Sequence, residues 1–377
     1  METGSKKIQW LQLIRTDGIG PIRFWQFLKH YGSVEQTLAS LSKVYPAEKA
    51  IAEMQSHDDQ GYHLIAAFEP DFPQALRRHP DCPPLISVYG NVHCLNQPMM
   101  AVVGARNASL GGRQLSFSIA KDLGNAGWQI VSGLARGIDG RAHQGALSTG
   151  TLAVLAGGVD CIYPPEHQNL YHEIAKKGAV ISEMPLGTTP MAALFPRRNR
   201  LIAGLSQGVI VIEAANRSGS LITADYALDQ GVDVFAVPGS PLDPRCAGSN
   251  KLLKQGAILT ESAADVFAVI PSGFQNMDSK IRGERPECTK EHIKTRDLVD
   301  NQKPPSILTE LAEPVSAFNT GDLKQHLLTD LSLTPTDFEQ LLPSYPHPAA
   351  VILGVLCELE LEGLIQRHAG NKFSRLP

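Results

Sequence analysis

At 377 residues with 43% hydrophobic content, the chain is long enough for two or three domains and apolar enough to bury a sizeable core. The formal net charge of −4 excludes a globally basic body, so any contact with nucleic acid must come from a local patch. Cysteines at 82, 94, 161, 246, 288 and 357 form no C-x-x-C pair, no apolar run reaches 18 residues, and Met1 to Lys7 is polar. Neither a zinc or disulfide framework, nor a membrane span, nor a secretory leader is indicated, and a reduced cytoplasmic setting fits best.

Residues 8–69 read as short amphipathic helices, with apolar residues at helical spacing in Ile8 to Ile14, Arg23 to Tyr31 and Val34 to Leu41. Between the first two lies Asp17-Gly-Ile-Gly-Pro21. This is either a plain helical turn with Gly ending one helix and Pro starting the next, or a hairpin that presents backbone amides to phosphate. From about 85 to 270 short apolar runs alternate with helical ones. Strands are predicted at Met99–Val103, Gln129–Ser132, Leu152–Ala156, Ala179–Ser182, Gly208–Ile212, Asp233–Ala236 and Ala257–Leu259. Helices are predicted at Arg113–Gly124, Gly140–Leu147 and Thr223–Gln230. Such alternation implies an α/β fold with a Rossmann-like, doubly wound, mostly parallel sheet. Residues 271–306 read as a flexible linker, and 307–377 as three helices and a terminal hairpin, the pattern of a winged helix. That module reads equally as a DNA binder or a protein-docking unit. The expected domains are therefore a helical one at 1–72, a Rossmann-like one at 73–270, the linker, and a winged helix at 307–377.

Ligands bind such sheets at strand C-termini, so the glycine turns there carry the functional reading. Val102-Val-Gly-Ala-Arg106 runs from a strand into a turn, with Gly104 allowing close backbone approach and Arg106 a candidate phosphate contact or a structural ion-pair partner. It matches neither the dinucleotide fingerprint nor the P-loop. Ser132-Gly-Leu-Ala-Arg-Gly-Ile-Asp139 with His143 places an acid and a base on one helix face. Helix capping by Asp139 and packing of His143 is the commoner outcome for such a pair. Ala156-Gly-Gly-Val-Asp160 with Tyr163 offers a stacking ring or simple loop architecture.

The densest signal is Phe195-Pro-Arg-Arg-Asn-Arg-Leu-Ile-Ala-Gly204, ahead of an apolar strand, with Arg217-Ser-Gly-Ser-Leu-Ile-Thr-Ala224 after it. Arg198, Asn199 and Arg200 beside Phe195 combine cations with a stacking surface, and at least one of the three is expected to turn inward and brace the loop. Ser218, Gly219 and Ser220 begin the helix containing Thr223, a second anion site of the helix N-terminus type. Glu183 and Glu213 are isolated acids. No Ser-His-Asp order, nucleophile elbow or helical H-x-x-x-H pair occurs, so neither a catalytic set nor a metal or cofactor is expected.

Taken together, these motifs resemble the DNA-processing protein A family, also called DprA or Smf. The shared segments run from Val-Gly-Ala-Arg106 through Ser-Gly-Leu-Ala-Arg-Gly-Ile-Asp139, Tyr163-Pro164, Ser182-Glu183-x-Pro185, the Phe195 and Arg217 segments, to Val237-Pro-Gly239. The flanks resemble the family's sterile-alpha-motif-like and winged-helix modules. The resemblance implies a non-enzymatic protein that binds and protects incoming single-stranded DNA in natural transformation, loads the RecA recombinase and forms a homodimer. Carried over by motif, the DNA pocket comprises Gly104, Arg106, Phe195, Arg198, Asn199, Arg200, Ser218, Gly219, Ser220 and Thr223, and the dimer surface includes Leu253 and Leu259. Ala192 stands where members often carry Lys, a charge that Arg197 would replace from the other side. The alternative is a nucleotide phosphoribohydrolase-like enzyme of related fold. Those enzymes resemble one another in a P-G-G-x-G-T-x-x-E motif, and the turn at Arg217 here lacks its Glu.

Overall fold

The computed structural model describes residues 2–270 and 320–376; the expected linker at 271–306 lies outside them. The N-terminal segment folds as α1 (Glu2–Arg15), α2 (Pro21–Tyr31), α3 (Val34–Ser40) and α4 (Ala47–Asp59). An edge-to-face cluster of Trp10, Phe24, Trp25 and Phe68 fills its centre. The glycine turn before α2 closes on itself: Gly18 is at φ 78°, where its carbonyl accepts from Arg23 Nη1 at 2.8 Å, and Pro21 opens the helix. Trp25 Nε1 donates to the Cys82 carbonyl at 2.8 Å and seats the bundle on the sheet.

The sheet has nine strands. They are β1 (His63–Ala66), β2 (Leu85–Gly90), β3 (Met99–Gly104), β4 (Gln129–Ser132), β5 (Thr151–Val154), β6 (Ala179–Ser182), β7 (Gly208–Ile212), β8 (Asp233–Ala236) and β9 (Ile258–Leu259). Their spatial order is β1-β2-β6-β5-β4-β3-β7-β8-β9. From β6 to β9 all pairs are parallel; β1 and β2 are antiparallel additions at one edge. The parallel strands are apolar on both faces, as burial beneath two helix layers requires. Between strands come α5 (Gln74–Arg77), α6 (Leu110–Asn125), α7 (Ile138–Ala146), α8 (Gln168–Lys177), α9 (Leu194–Leu205), α10 (Gly219–Asp229) and α11 (Ala247–Lys254), and α12 (Ala263–Val269) follows β9. The chain steps outward from β3 through β4, β5 and β6, then returns to β7 on the other side of β3. This places the topological switch point between β3 and β7, and their carboxyl ends face one crevice.

Two sequence expectations change here. His63–Ala66 is a strand paired antiparallel with Leu85–Val88 of β2, so the sheet begins at 63, within the stretch expected to be helical to 69 and placed in the helical domain to 72. The arginine cluster, expected as a loop, lies within α9. Leu194, Leu201, Ile202 and Leu205 are all buried on it, a helical face whose spacing outweighs Pro196 in the first turn, where proline is tolerated.

The last segment forms α13 (Thr320–Asp330), β10 (Thr336–Asp337), α14 (Phe338–Leu341), α15 (Ala349–Leu361), β11 (Ile365–His368) and β12 (Lys372–Arg375). The three strands order as β10-β12-β11, giving the winged helix. Leu110 of α6 is buried in its core cluster, beside Leu327 and Leu331. Arg113 pairs with Asp330 at 2.7 Å, and Arg245 donates to the Thr329 and Leu331 carbonyls at 2.9 and 3.2 Å, so the domain is fastened to the Rossmann-like core.

Candidate nucleic-acid interface

The crevice at the switch point is a cleft of about 550 Å³. Gly104 ends β3 on one side. A Cβ there would overlap the Ile212 carbonyl of β7 and the Ile138 side chain, so only glycine lets the two strand ends and α7 close up. Arg106 emerges two residues later, exposed, with its guanidinium 4.9 Å from the Phe195 ring centroid. On the other side, β7 leads to the N-terminus of α10, where Ser218 caps the helix and bonds the Ser220 hydroxyl at 2.7 Å. The cleft is lined by Gly104, Arg106, Phe195, Arg198, Asn199, Ser218, Gly219, Ser220 and Thr223, nine of the expected residues in one place.

Arg198 defines the floor. It is 5% exposed, yet its Nε and Nη1 have no hydrogen-bond partner among the described residues. Its nearest carboxylate, Asp139, is at 4.0 Å, beyond a direct hydrogen bond. Desolvation pulls the Arg198 pKa down to about 10 against the pull of Asp139, with Arg106 adding repulsion; it stays charged at neutral pH. Burial likewise raises the Asp139 carboxyl, opposed by Arg198 and by backbone donors that include Gly133 N–H at 3.1 Å. A Cβ at Gly133 would overlap Arg198 Nη1, so glycine is what leaves room for the guanidinium. Buried donors are almost always satisfied, so the unmatched nitrogens of this buried cation are the site's outstanding polar feature.

Arg200 is a correction. Two residues from Arg198 is 200° around a helix, so the two side chains leave α9 on opposite faces. Arg200 pairs with the buried Glu183, lies 3.6 Å from Asp81, donates to the Asp81 carbonyl at 2.7 Å, and does not line the cleft. It is the inward brace. Arg197 is exposed, 3.8 Å from the same Glu183, and is not among the cleft residues. Asn199 instead ties α9 to the start of α10 across the cleft, with Nδ2 donating to the Gly219 carbonyl at 3.0 Å.

Next to the cleft, and sharing Arg106, Asn107, Phe195 and Arg198 with it, is a smaller cavity of about 170 Å³. Tyr163, 44% exposed, stands at its wall edge-to-face with Phe195, their centroids 5.9 Å apart. Aromatic walls beside guanidiniums suit a planar ring near a phosphate. Asp160 holds its loop by accepting from Gly187 N–H at 2.8 and 3.0 Å.

The acid–base reading of Asp139 and His143 fails on geometry. His143 is fully buried, bonded to Thr151 Oγ1 at 2.8 Å, and its pKa falls to about 3 through desolvation, so the ring is neutral. It does not face the cleft. Glu213 is also structural. At φ 46° it turns its carboxylate back to accept from Ser109 N–H at 2.8 Å and from the Ser109 hydroxyl, fixing the start of α6. Among the described residues no His, Cys, Asp and Glu cluster fits a metal ion. None of the helices there is long and apolar enough to cross a membrane.

Sequence reasoning did not assign Asn107, Arg217 or Arg245 to the site, though all three line the cleft. Arg217 stood inside the quoted motif. Asn107 follows Arg106 in the same turn after β3, where the strand-end rule would have reached it; Arg245 gave no local signal, because the approach to α11 brings it there.

The fold and crevice define an α/β protein whose binding site is built from guanidiniums, a helix N-terminus and aromatic rings. The chain belongs to the DNA-processing protein A (DprA/Smf) family. The model of the DNA recombination-mediator protein A matches residues 63–271, the DprA-like N-terminal HHH domain 4–58, and the DprA winged helix domain 312–371. The chain is 37% identical to protein Smf of Escherichia coli over 83% of its own length and 78% of that protein. It is 40% identical to the DNA processing protein DprA of Bacillus subtilis over 61% and 78%. Among solved structures it is similar to DprA from Streptococcus pneumoniae (TM-score 0.60, 34% identity, 70% of this chain and 97% of that one). It is also similar to DprA from Helicobacter pylori (TM-score 0.51, 29% identity, 55% and 94%), a structure described as showing a single-stranded DNA binding mode.

Proposed function

We propose that the protein binds single-stranded DNA in the switch-point cleft and hands it to a RecA-type recombinase during natural transformation, with no chemical step of its own. The observation that carries the binding reading is Arg198: a buried charged guanidinium with two unmatched nitrogens, at the floor of a cleft that Arg106 and the α10 N-terminus also face. A phosphate there would satisfy the buried donors, and each phosphate gripped releases condensed counterions. Gly104, Phe195, Asn199, Ser218, Gly219, Ser220 and Thr223 complete the wall, with Tyr163 and Phe195 as platforms for bases. The small cavity beside the cleft favours separated bases over a stacked duplex.

The recombinase and dimer parts rest on family membership. For the dimer, Leu259 at 52% exposure on the edge strand β9, with Leu253 partly buried on α11 nearby, offers an apolar patch. A monomeric mass in light scattering would remove that part, and recombinase filaments that assemble on single-stranded DNA no faster with the protein than without it would remove the other. The binding reading is tested by mobility shift with single-stranded and duplex DNA at two salt concentrations. Single strands should bind more tightly, with a log–log salt slope of about −0.7 per phosphate held. Equal affinity for duplex, or no dependence on salt, would contradict it.

A further inference from the structure

The cleft does not close at Asn107. Asn107 and Arg245 line it, and the same two residues line a second cleft, of about 400 Å³, between the Rossmann-like core and the winged helix. The far wall is formed by Leu242, Thr329 and Arg375. Asn107 also lines the small aromatic cavity, so the three spaces meet at this one exposed side chain.

The chemistry of the second space differs from a plain domain seam. Arg375, on β12, is exposed; its backbone N–H is held by the Ser332 carbonyl at 2.8 Å, while its guanidinium makes only a long hydrogen bond of 3.4 Å to the Leu328 carbonyl among the described residues. Leu242 is 72% exposed and offers an apolar surface to this space. The carboxylates close by are already committed. Asp243 is gripped by Arg245 Nε and Nη2 at 3.1 and 2.8 Å, and Asp330 by Arg113 and by the Tyr345 hydroxyl at 2.7 Å. Burial alone would raise the Asp243 carboxyl, but the bonds and charge of Arg245, with Arg375 adding, hold it below the ordinary range. The space therefore presents one exposed guanidinium that no carboxylate grips directly, and one apolar ledge.

We infer that a single strand leaving the main cleft past Asn107 continues into this interdomain cleft, where Arg375 takes a backbone phosphate and Leu242 packs under a base. The winged helix thereby lengthens the single-strand track through its terminal strand, in place of reading duplex through a helix. Arg245 acts as the shared wall, fixed by Asp243 and by the C-terminal carbonyls of α13. This extends the single-strand reading above and depends on it.

The test uses the full chain and oligothymidylates of about 6 and about 20 nucleotides, bracketing the site size of a single binding module. Arg375→Ala should bind the longer strand about tenfold more weakly, the scale of one charge-assisted contact, and lower its salt slope by about 0.7. The shorter strand should bind as to the wild type, and Arg375→Lys should restore most of the loss. Leu242→Ala should act in the same direction, more weakly. If Arg375→Ala binds both lengths like the wild type, or loses both equally, the extended track is wrong. Loss of neither length on Arg106→Ala would instead overturn the main cleft itself, so the two failures are distinguishable.

Discussion

The cleft and the braces around it use the same residue, arginine, to opposite ends. Arg200, Arg113 and Arg245 each meet a carboxylate within hydrogen-bond reach, and their surroundings are carbonyls and packed side chains. Arg198 and Arg106 lie on the other side of that divide. One has its acid held off at 4.0 Å and the other rests on an aromatic ring. A guanidinium already matched by protein is part of the scaffold; one buried without a match is what the proposed binding reading rests on. Charge counts alone do not separate the two, because the separation lies in where the carboxylates sit.

Removing a matched arginine gives the largest effect on folding. Arg200→Ala leaves the Glu183 carboxylate, beneath α9, with only the more distant Arg197 at 3.8 Å, and should lower unfolding free energy by about 3 kcal/mol in urea titrations. Binding by the fraction that remains folded should be unchanged. Unaltered stability, or a selective loss of DNA binding, would erase the distinction between the two arginines of α9. The opposite manipulation is gentler. Gly133→Ala should displace the Arg198 guanidinium, lowering single-strand affinity by about tenfold, of order one charge-assisted hydrogen bond. Its urea midpoint should move little, since the displaced group is the far end of a flexible side chain. Wild-type affinity in this variant would mean that the position of Arg198 does not matter.

Much of this arrangement was legible in the chain. The seven parallel strands fall within two residues of where apolar runs between glycine turns put them, because strands buried on both faces must be continuously apolar. The glycines at 104 and 133 marked the crevice because they end or follow directly on strands β3 and β4, and Ser218 because it opens the helix after β7. The arginine helix was missed because Pro196 and three cations masked the inward set Leu194, Leu201, Ile202 and Leu205. Once α9 is recognised, its 100° step sends Arg198 and Arg200 apart. Which of them meets an acid still depends on Glu183 and Asp81, which reach α9 from distant parts of the chain. His63–Ala66 was missed for a plainer reason: four residues at a sheet edge carry too little pattern to stand out from the helices before them. Asn107, beside Arg106 in the turn after β3, was within reach; Arg245 was not, since the winged-helix carbonyls complete its surroundings.

The central claim is that Arg106 and Arg198 are held for a phosphate backbone and not for the fold. The direct measurement is a fluorescence-anisotropy titration of a single-stranded oligonucleotide with the Arg106→Ala, Arg198→Ala double variant, paired with its urea unfolding curve. Two lost charge-assisted contacts should weaken binding by at least about a hundredfold while the unfolding midpoint stays close to wild type. A folded double variant that binds with wild-type affinity would contradict it.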